Sequence, residues 1–419
     1  MTPLGMGTNT KKNVIYLIAD SLRADYLGCY GNDSVLTSEI DELAESGVRF
    51  ENAVSAAPWT IPSVKSHGTG KYPHNIGIFD PDTDEGATVF DQFKTDGYKT
   101  ALYYDSDRRD ELFSKNVDHY DWSYDLESLL NFISENKDEP FFIYNLYRGT
   151  HVPYTLKYSS EAWHRAKDEV MSLIQEGGEG LEEAKYRYER SIERFSEWYV
   201  GAIIDRLRKE NLLNDTTIVI TGDHGESWGK RFDDQSTVDL FDLHGTLLYD
   251  EALKVPLVLY NFDIDYTGPV SEMVRSVDIL PTMLDSLDTT PLRDDLDGTS
   301  LLPQLERGEG QFPEYAFSST TTHDQFGGIG DADEESGSTF NRFSVSRRDG
   351  WKYMVSVDQD NRELYDTISD PGEESNLIDE RRNIAEQMHE QLRTQFDELL
   401  SNGEHSDEVK QRLEDLGYL

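Results

Sequence analysis

Three side chains that could bind a metal ion follow predicted β-strands. Asp20 ends the apolar run NVIYLIAD at 13–20, and Asp223 and His224 come soon after the run TTIVIT at 216–221. A short β-branched apolar run that ends in a polar turn predicts a strand buried on both faces. A lone aspartate after a strand is more often a turn residue or a helix cap, whereas an adjacent Asp–His pair is harder to explain in that way. Carboxylate and imidazole ligands suit Mn²⁺, Zn²⁺ or Ca²⁺, and the sequence does not choose among these ions.

A second segment carries hydroxyl groups that could act as a nucleophile. The sequence APWTIPSVKSHGTGKYPH at 57–74 predicts a proline-bounded turn and then a short helix, with Thr60 and Ser63 near its start. Either hydroxyl could simply cap this helix. Beside a metal ion, however, a hydroxyl at a helix N-terminus has its alkoxide stabilised by the ion and by the helix dipole, and it becomes a nucleophile.

Alternating apolar runs and amphipathic helices predict an α/β fold with a large, mainly parallel sheet flanked by helices. Further strand-length runs lie at 100–104, 141–146 and 255–260, and helical patterns lie at 38–46, 126–136 and 186–209. In such sheets, ligands bind beyond the carboxyl ends of the strands. This is where Asp20, Asp223 and His224 are expected to meet.

The last quarter of the chain has a different pattern. Short strand patterns at 343–355 and 362–366, followed by an amphipathic helix at 382–400, predict a small antiparallel α+β subdomain. We therefore divide the chain into a catalytic domain, residues 1–310, and a C-terminal subdomain, residues 311–419.

The charge balance excludes several classes of partner. The chain has 419 residues, of which 82 are acidic and 39 basic, for a net charge of −43. Such a charge repels nucleic acids and anionic lipid surfaces. The acidic residues are spread along the chain, which predicts a solvated acidic shell of the kind that adapts proteins to high salt.

We expect a cytoplasmic protein. The N-terminal segment is polar, no apolar run is long enough to span a membrane, and Cys29 is the single cysteine. The oligomeric state stays open.

Eight motifs occur in the order found in the sulfatase family, within the alkaline phosphatase superfamily, which the chain resembles over nearly its whole length. They lie at 13–31, 57–77, 140–154, 221–225, 244–256, 276–284, 297–303 and 363–377. The resemblance implies an alkaline phosphatase-like fold, one divalent metal ion, and hydrolysis of sulfuric or phosphoric ester bonds. The substrate would be a small anionic ester or a glycan- or lipid-linked one.

Four residues match the metal site and nucleophile of the family. Asp20, Asp223 and His224 match metal ligands, and Thr60 falls at the nucleophile position, where its oxygen would also contact the metal ion. Sulfatases carry a cysteine or serine there that is oxidised to formylglycine. Thr60 cannot form that aldehyde, because its β-carbon already bears a methyl group. Members with threonine at this position resemble phosphodiesterases, phosphonate hydrolases and phosphoglycerol transferases, which favours phosphorus over sulfur as the central atom.

Other matches concern the substrate. His151 matches a histidine that contacts the bound group, and His244 matches a histidine or lysine near the leaving group. Ser21 stands where many members have a second metal-binding aspartate. Val64 stands where sulfatases usually have arginine, and Lys65 follows it. We expect Lys65 and His151 to offset the charge of the transferred group, and His244 to protonate the leaving oxygen.

Two other functions are compatible with these motifs. A transferase would pass the group to an acceptor alcohol instead of water, and an inactive relative would only bind an anionic glycan. A pure binder would have no need of a nucleophile, so the intact set of Asp20, Thr60, Asp223 and His224 favours an enzyme. Histidines outside the motifs, or without a partner pattern, such as His67, are expected at the surface or as helix caps.

Overall fold

The computed structural model of the protein contains one large sheet and one small sheet. It describes residues 11–76, 86–104, 116–122, 125–155, 160–229, 243–308, 310–320, 342–356 and 361–402. The strands of the large sheet are β1 (Asn13–Ala19), β2 (Val48–Val54), β3 (Lys99–Tyr104), β4 (His119–Asp121), β5 (Phe141–Tyr147), β6 (Thr216–Gly222), β7 (Lys254–Tyr260) and β8 (Gly268–Arg275).

The large sheet has the strand order β4-β3-β5-β1-β6-β7-β2-β8. Among these eight strands only β7 is antiparallel to the strands on both of its sides, so the predicted mainly parallel α/β fold is confirmed. The predicted strands are present with ends shifted by a residue or so. Strands β2, β4 and β8 were not predicted. Strands β2 and β8 contain exposed or half-buried residues among the buried ones, and β4 is only three half-buried residues long, so none of them has a continuous apolar run.

Helices cover both faces of this sheet. They are α1 (Ser38–Ser46), α2 (Thr60–Thr69), α3 (Val89–Thr95), α4 (Leu126–Glu135), α5 (Ser160–Glu176), α6 (Gly178–Glu193), α7 (Gly201–Lys209), α8 (Asp250–Leu253), α9 (Ile279–Ser286), α10 (Leu302–Arg307) and α11 (Arg382–Asn402). Strand β1 contributes Ile15 and Leu17 to one apolar cluster and Val14 and Tyr16 to the cluster on the opposite face. Of the helices the structure describes, none is long and apolar enough to cross a bilayer.

The helix predicted at 186–209 is present, but it begins earlier, at Gly178, and is not α-helical throughout. Helices α6 and α7 are separated by a π-helical segment, Arg194–Val200. Within this segment, the rings of Phe195 and Tyr199 both pack against Tyr147 of β5, with centroids 4.7 and 4.8 Å from that of Tyr147. Apolar spacing of three or four residues does not reveal such an insertion, because the buried face continues on both sides of it.

The small sheet is antiparallel and lies in the C-terminal part of the chain. Its strands, in the spatial order β12-β11-β10-β9, are β9 (Tyr315–Thr320), β10 (Arg342–Arg347), β11 (Trp351–Ser356) and β12 (Asn361–Asp366). Helix α11 contributes Met388, Leu392 and Phe396 to the apolar cluster of this sheet. The predicted small antiparallel unit is therefore confirmed, with β9 as an additional strand, whereas the division of the chain at residue 310 stays a prediction.

Candidate active site

The predicted metal ligands meet at the carboxyl ends of two neighbouring strands. Ala19 of β1 pairs with Gly222 of β6, so Asp20 and Asp223 leave the sheet side by side. The ligand atoms of Asp20, Asp223 and His224 all lie within 4.8 Å of one another, and all three side chains are fully buried. The structure thus brings together the three residues that the strand-end pattern singled out.

The donor atoms of this cluster fit a divalent cation. Oδ1 of Asp223 accepts hydrogen bonds from the backbone amides of Ser21 and His224, at 3.0 and 2.8 Å. Its Oδ2 has no hydrogen-bond partner among the described residues and lies 3.5 Å from Nε2 of His224. Nδ1 of His224 lies 2.9 Å from the carbonyl of Gly225, which leaves the Nε2 lone pair facing the carboxylates. A cation between these atoms would satisfy both the oxygen and the lone pair.

The protonation of the cluster follows from burial and from mutual repulsion. Burial and the charge of Asp20 raise the pKa of Asp223 well above its ordinary value. Burial acts in the same sense on Asp20, but the nearby histidines and Arg148 outweigh it and lower the pKa of Asp20. Burial lowers the pKa of His224 to about 3, so its imidazole is neutral, as a metal ligand must be.

Thr60 is the first residue of helix α2 and faces this cluster. Its Oγ1 lies 3.4 Å from Nε2 of His224 and 3.5 Å from Oδ2 of Asp20. The helix cap position is Trp59, which makes no side-chain capping bond, so the Thr60 hydroxyl is not a cap. Ser63 is not a cap either, since its hydroxyl donates to the carbonyl of Asp223 at 2.6 Å. The structure therefore places a hydroxyl, a helix N-terminus and the three ligand residues together.

Both predicted substrate histidines lie beside the cluster. The ring of His244 is 4.8 Å from the ring of His224 and 5.0 Å from the ring of His151. Nδ1 of His244 lies 3.1 Å from Oε1 of Glu226. Burial acts to lower the pKa of His244, but Glu226 outweighs it and the pKa is raised. Burial lowers the pKa of His151 to about 4, so the pKa values of the two histidines are shifted in opposite directions.

Two residues at this site were missed in the sequence. Arg148 donates from Nε to Oδ2 of Asp20 at 3.2 Å, and Glu226 is fully buried and accepts from the hydroxyl of Tyr154 at 3.3 Å. Arg148 directly follows strand β5, so the strand-end rule that found Asp20 would also have found it. The pairing of Glu226 with His244 joins residues 18 positions apart, and no local sequence pattern specifies it.

Lys65 and Ser21 are the two remaining positions that the family motifs singled out at this site. Lys65 is partly exposed on α2, and five residues after Thr60 correspond to about 140° of rotation around the helix; its contact with the substrate stays a prediction. Ser21, at the position of the expected second aspartate, has φ of 60°. That left-handed conformation accompanies the bond from its amide to Asp223, while its hydroxyl lies 3.2 Å from Oδ1 of Asp20.

The mainly parallel sheet, with a buried Asp–Asp–His cluster at the carboxyl ends of its strands, has the alkaline phosphatase-like α/β fold that the motifs predicted. The chain belongs to the sulfatase family, since the model of that family, Sulfatase, matches residues 12–289. A second model, N-sulphoglucosamine sulphohydrolase, C-terminal, matches residues 239–400.

Individual relatives cover the chain to different extents. An ulvan-active sulfatase of Formosa agariphila is 25% identical in an alignment of 343 positions that covers 70% of this chain and 64% of that protein. The chain thus spans less than two thirds of the length of that relative. The uncharacterised sulfatase YidJ of Escherichia coli is 24% identical in an alignment of 465 positions, gaps included, that covers 93% of this chain and 88% of YidJ.

Solved structures share the fold at low identity. The phosphonate monoester hydrolase of Agrobacterium radiobacter superposes with a TM-score of 0.71 and 19% identity, covering 92% of this chain and 96% of that chain. A structure in complex with its substrate D-glucosamine-2-N,6-O-disulfate gives a TM-score of 0.70 and 20% identity, covering 96% of this chain and 100% of that chain. At such identities these structures show the fold alone.

Proposed function

We propose that this enzyme hydrolyses anionic esters through Thr60, with one divalent cation held by Asp20, Asp223, His224 and the Thr60 oxygen. The observation that carries the proposal is the position of Thr60 Oγ1, 3.4 Å from His224 Nε2 and 3.5 Å from Asp20 Oδ2, at the start of a helix. When bound, Ca²⁺, Mn²⁺ or Zn²⁺ would supply positive charge that favours the Thr60 alkoxide and attracts a non-bridging oxygen of the substrate.

The chain itself supplies the nucleophile, the proton donor and the groups that offset negative charge. The N-terminus of α2 also favours negative charge on Thr60. Thr60 Oγ1 attacks the central atom in line, so that a bond to Thr60 forms while the bond to the leaving alcohol breaks. Glu226 fixes Nδ1 of His244 and leaves its Nε2 to protonate the leaving oxygen. Lys65 offsets the charge on the oxygens of the transferred group, as does His151 once the bound anion favours its protonated form, and water then cleaves the threonyl ester.

The side chain at position 60 favours phosphorus as the central atom. A threonyl ester must be released by attack of water on the central atom, because threonine cannot eliminate the group as a hydrated aldehyde can. Phosphoryl and phosphonyl esters of a hydroxyl can be cleaved in this way. A phosphonate monoester hydrolase and a protein with a sulfated sugar as its substrate both have this fold, so the fold accommodates either central atom. The second candidate is a sulfated glycan, since one structural neighbour holds D-glucosamine-2-N,6-O-disulfate as its substrate.

A substrate panel tests both parts of the proposal. Metal-depleted enzyme in molar KCl is supplied separately with Ca²⁺, Mn²⁺ or Zn²⁺ and assayed on an aryl phosphate, a phosphodiester, a phosphonate monoester and an aryl sulfate. We expect a phosphorus ester to give the highest kcat/KM, Thr60→Ala to lose nearly all turnover, and Thr60→Ser to keep part of it. A preference for the sulfate would contradict phosphorus, and an active Thr60→Ala would contradict the nucleophile.

A further inference from the structure

His67, near the end of helix α2, is fully buried, so the expectation that it lies at the surface is wrong. Its Nδ1 lies 2.5 Å from the hydroxyl of Tyr16 on strand β1, within the apolar cluster between the helix and the sheet. Its Nε2 has no hydrogen-bond partner in the part of the chain described. A buried imidazole is costly compared with an apolar side chain of similar size. The contact with Tyr16 therefore needs an explanation beyond core packing.

Helix α2 and strand β1 touch through polar groups at both ends of the helix. Tyr16 meets His67 at 2.5 Å, and Asp20 meets Thr60 at 3.5 Å. Tyr16 and Asp20 are four residues apart, about 13 Å along a strand. Thr60 and His67 are seven residues apart, about 10 Å along a helix. The two lengths are similar, and the order of the contacts shows that the helix and the strand run in opposite directions, so the two contacts lie near the two ends of α2.

Directional contacts continue between these two ends. Thr60, Ser63, Val64 and His67 have the spacing of one helix face. On that face, the hydroxyl of Tyr144 on β5 donates to the carbonyl of Val64 at 3.1 Å. Apolar packing alone would allow a helix to slide or rotate by a fraction of an ångström, since it is non-directional. Hydrogen bonds restrict that movement because their geometry is narrow.

We propose that Tyr16 and His67 are positioning residues for the reaction, because their hydrogen bond fixes the far end of α2 and thereby holds Thr60 Oγ1 in place for attack. The proposal rests on the proposed function, in which Thr60 is the nucleophile. Neither residue touches the substrate, so the effect of losing the pair falls on kcat and leaves KM almost unchanged. A displacement of about 1 Å at a reacting atom costs roughly a hundredfold in rate.

The test compares Tyr16→Phe, His67→Leu and the double variant. Each single variant leaves a buried polar atom unpaired and should lower Tm, whereas the double variant removes both polar groups and should recover most of the Tm. If the pair positions Thr60, kcat of the double variant stays roughly tenfold or more below the parent value although its stability has returned. A double variant with parental kcat would show that the bond only satisfies two buried groups, and would overturn the proposal.

Two controls complete the experiment. Tyr103→Phe removes another buried tyrosine hydroxyl, which donates to the carbonyl of Ser128 at 3.3 Å in the cluster on the opposite face of the sheet, and should leave kcat unchanged. In a Thr60→Ala background, loss of the Tyr16–His67 pair should not reduce the residual turnover further; an equal reduction there would contradict the inference. Parental turnover in Thr60→Ala alone would instead overturn the proposed function, whatever the Tyr16 and His67 variants do.

Discussion

Glu226 Oε1 lies 3.1 Å from Nδ1 of His244, and the glutamate is fully buried while the histidine is almost so. A carboxylate in this position fixes the tautomer of the imidazole and stabilises its protonated form. The ring of His244 also lies 4.8 Å from the ring of His224. The pair therefore couples a candidate proton donor to the candidate metal site.

The first prediction concerns the pH dependence of turnover. Burial acts to lower the pKa of His244, and Glu226 raises it above the ordinary 6.5. A general acid loses activity as pH rises through its pKa. Glu226→Gln removes the charge that raises the pKa, so the alkaline limb of kcat/KM should move to lower pH. Glu193→Gln, at a partly buried glutamate on α6, should leave the profile in place. An unchanged limb in Glu226→Gln would show that His244 is not the acid.

The second prediction is that Asp223→Asn weakens metal binding but stabilises the metal-free protein. The pKa of Asp223 is raised well above its unfolded value of 3.8, so the charged carboxylate opposes folding at pH 7 when no cation is present. Asp223→Asn removes that penalty, and the Tm of the metal-free protein should rise. The same variant should lose the stabilisation by added metal, about 2.7 kcal/mol at a hundredfold excess over Kd.

A matched variant separates metal binding from general stability. Asp278 is another fully buried aspartate, paired with Arg275 at 2.6 Å and outside the ligand cluster. Asp278→Asn should lower the Tm of the metal-free protein and keep the metal-induced rise. Differential scanning calorimetry with and without each metal ion checks both variants. A metal-induced rise that survives in Asp223→Asn would place the ion elsewhere.

The strands and site residues that could be predicted from the sequence are those in or next to strands that are buried on both faces. Strands β1, β5 and β6 could be predicted because both of their faces are buried, and the Asp20, Asp223 and His224 cluster followed from their carboxyl ends. Half-exposed strands gave no continuous apolar run. The partners of Glu226 and His67 could not be predicted, because they come from elements brought together only by tertiary packing.

The third prediction concerns salt. A net charge of −43 creates repulsion across the surface that ions screen. The Tm should therefore rise as KCl is increased from low to molar concentration. Scans at constant pH over that range provide the measurement. A Tm that stays flat or falls would show that the acidic surface is not an adaptation to salt.

The fourth prediction concerns a buried ion cluster between the two sheets. Nζ of Lys352 on β11 lies 2.8 Å from Asp250 at the start of α8 and 3.0 Å from Glu373, and the lysine side chain is only 1% exposed. Lys352→Met would leave two carboxylates buried with less compensation, at a cost of about 3–5 kcal/mol in the free energy of unfolding at pH 7. Urea denaturation measures this cost.

The loss of stability in Lys352→Met should become smaller at acidic pH. Burial raises the pKa of Glu373, so in Lys352→Met the folded state takes up a proton more readily than the unfolded state. The deficit should therefore shrink as pH falls from 7 towards 5, and adding Glu373→Gln should restore part of the stability at pH 7. Arg382→Met, which breaks an exposed pair with Asp379, should change stability little at any pH. A cost for Lys352→Met as small as for Arg382→Met would contradict a stabilising cluster.

The fifth prediction is that Thr60 carries a covalent intermediate, and trapping that intermediate tests the central claim most directly. The enzyme is mixed with its best metal and a slowly cleaved substrate, quenched in acid, digested and analysed by peptide mass spectrometry. The position of Thr60 Oγ1 beside His224 and Asp20 predicts that the peptide containing Thr60 gains the mass of the transferred group, and that fragmentation places it on residue 60. Thr60→Ser should carry the same adduct. Turnover without any adduct on Thr60, together with parental activity in Thr60→Ala, would mean that water attacks the substrate directly and would contradict the account.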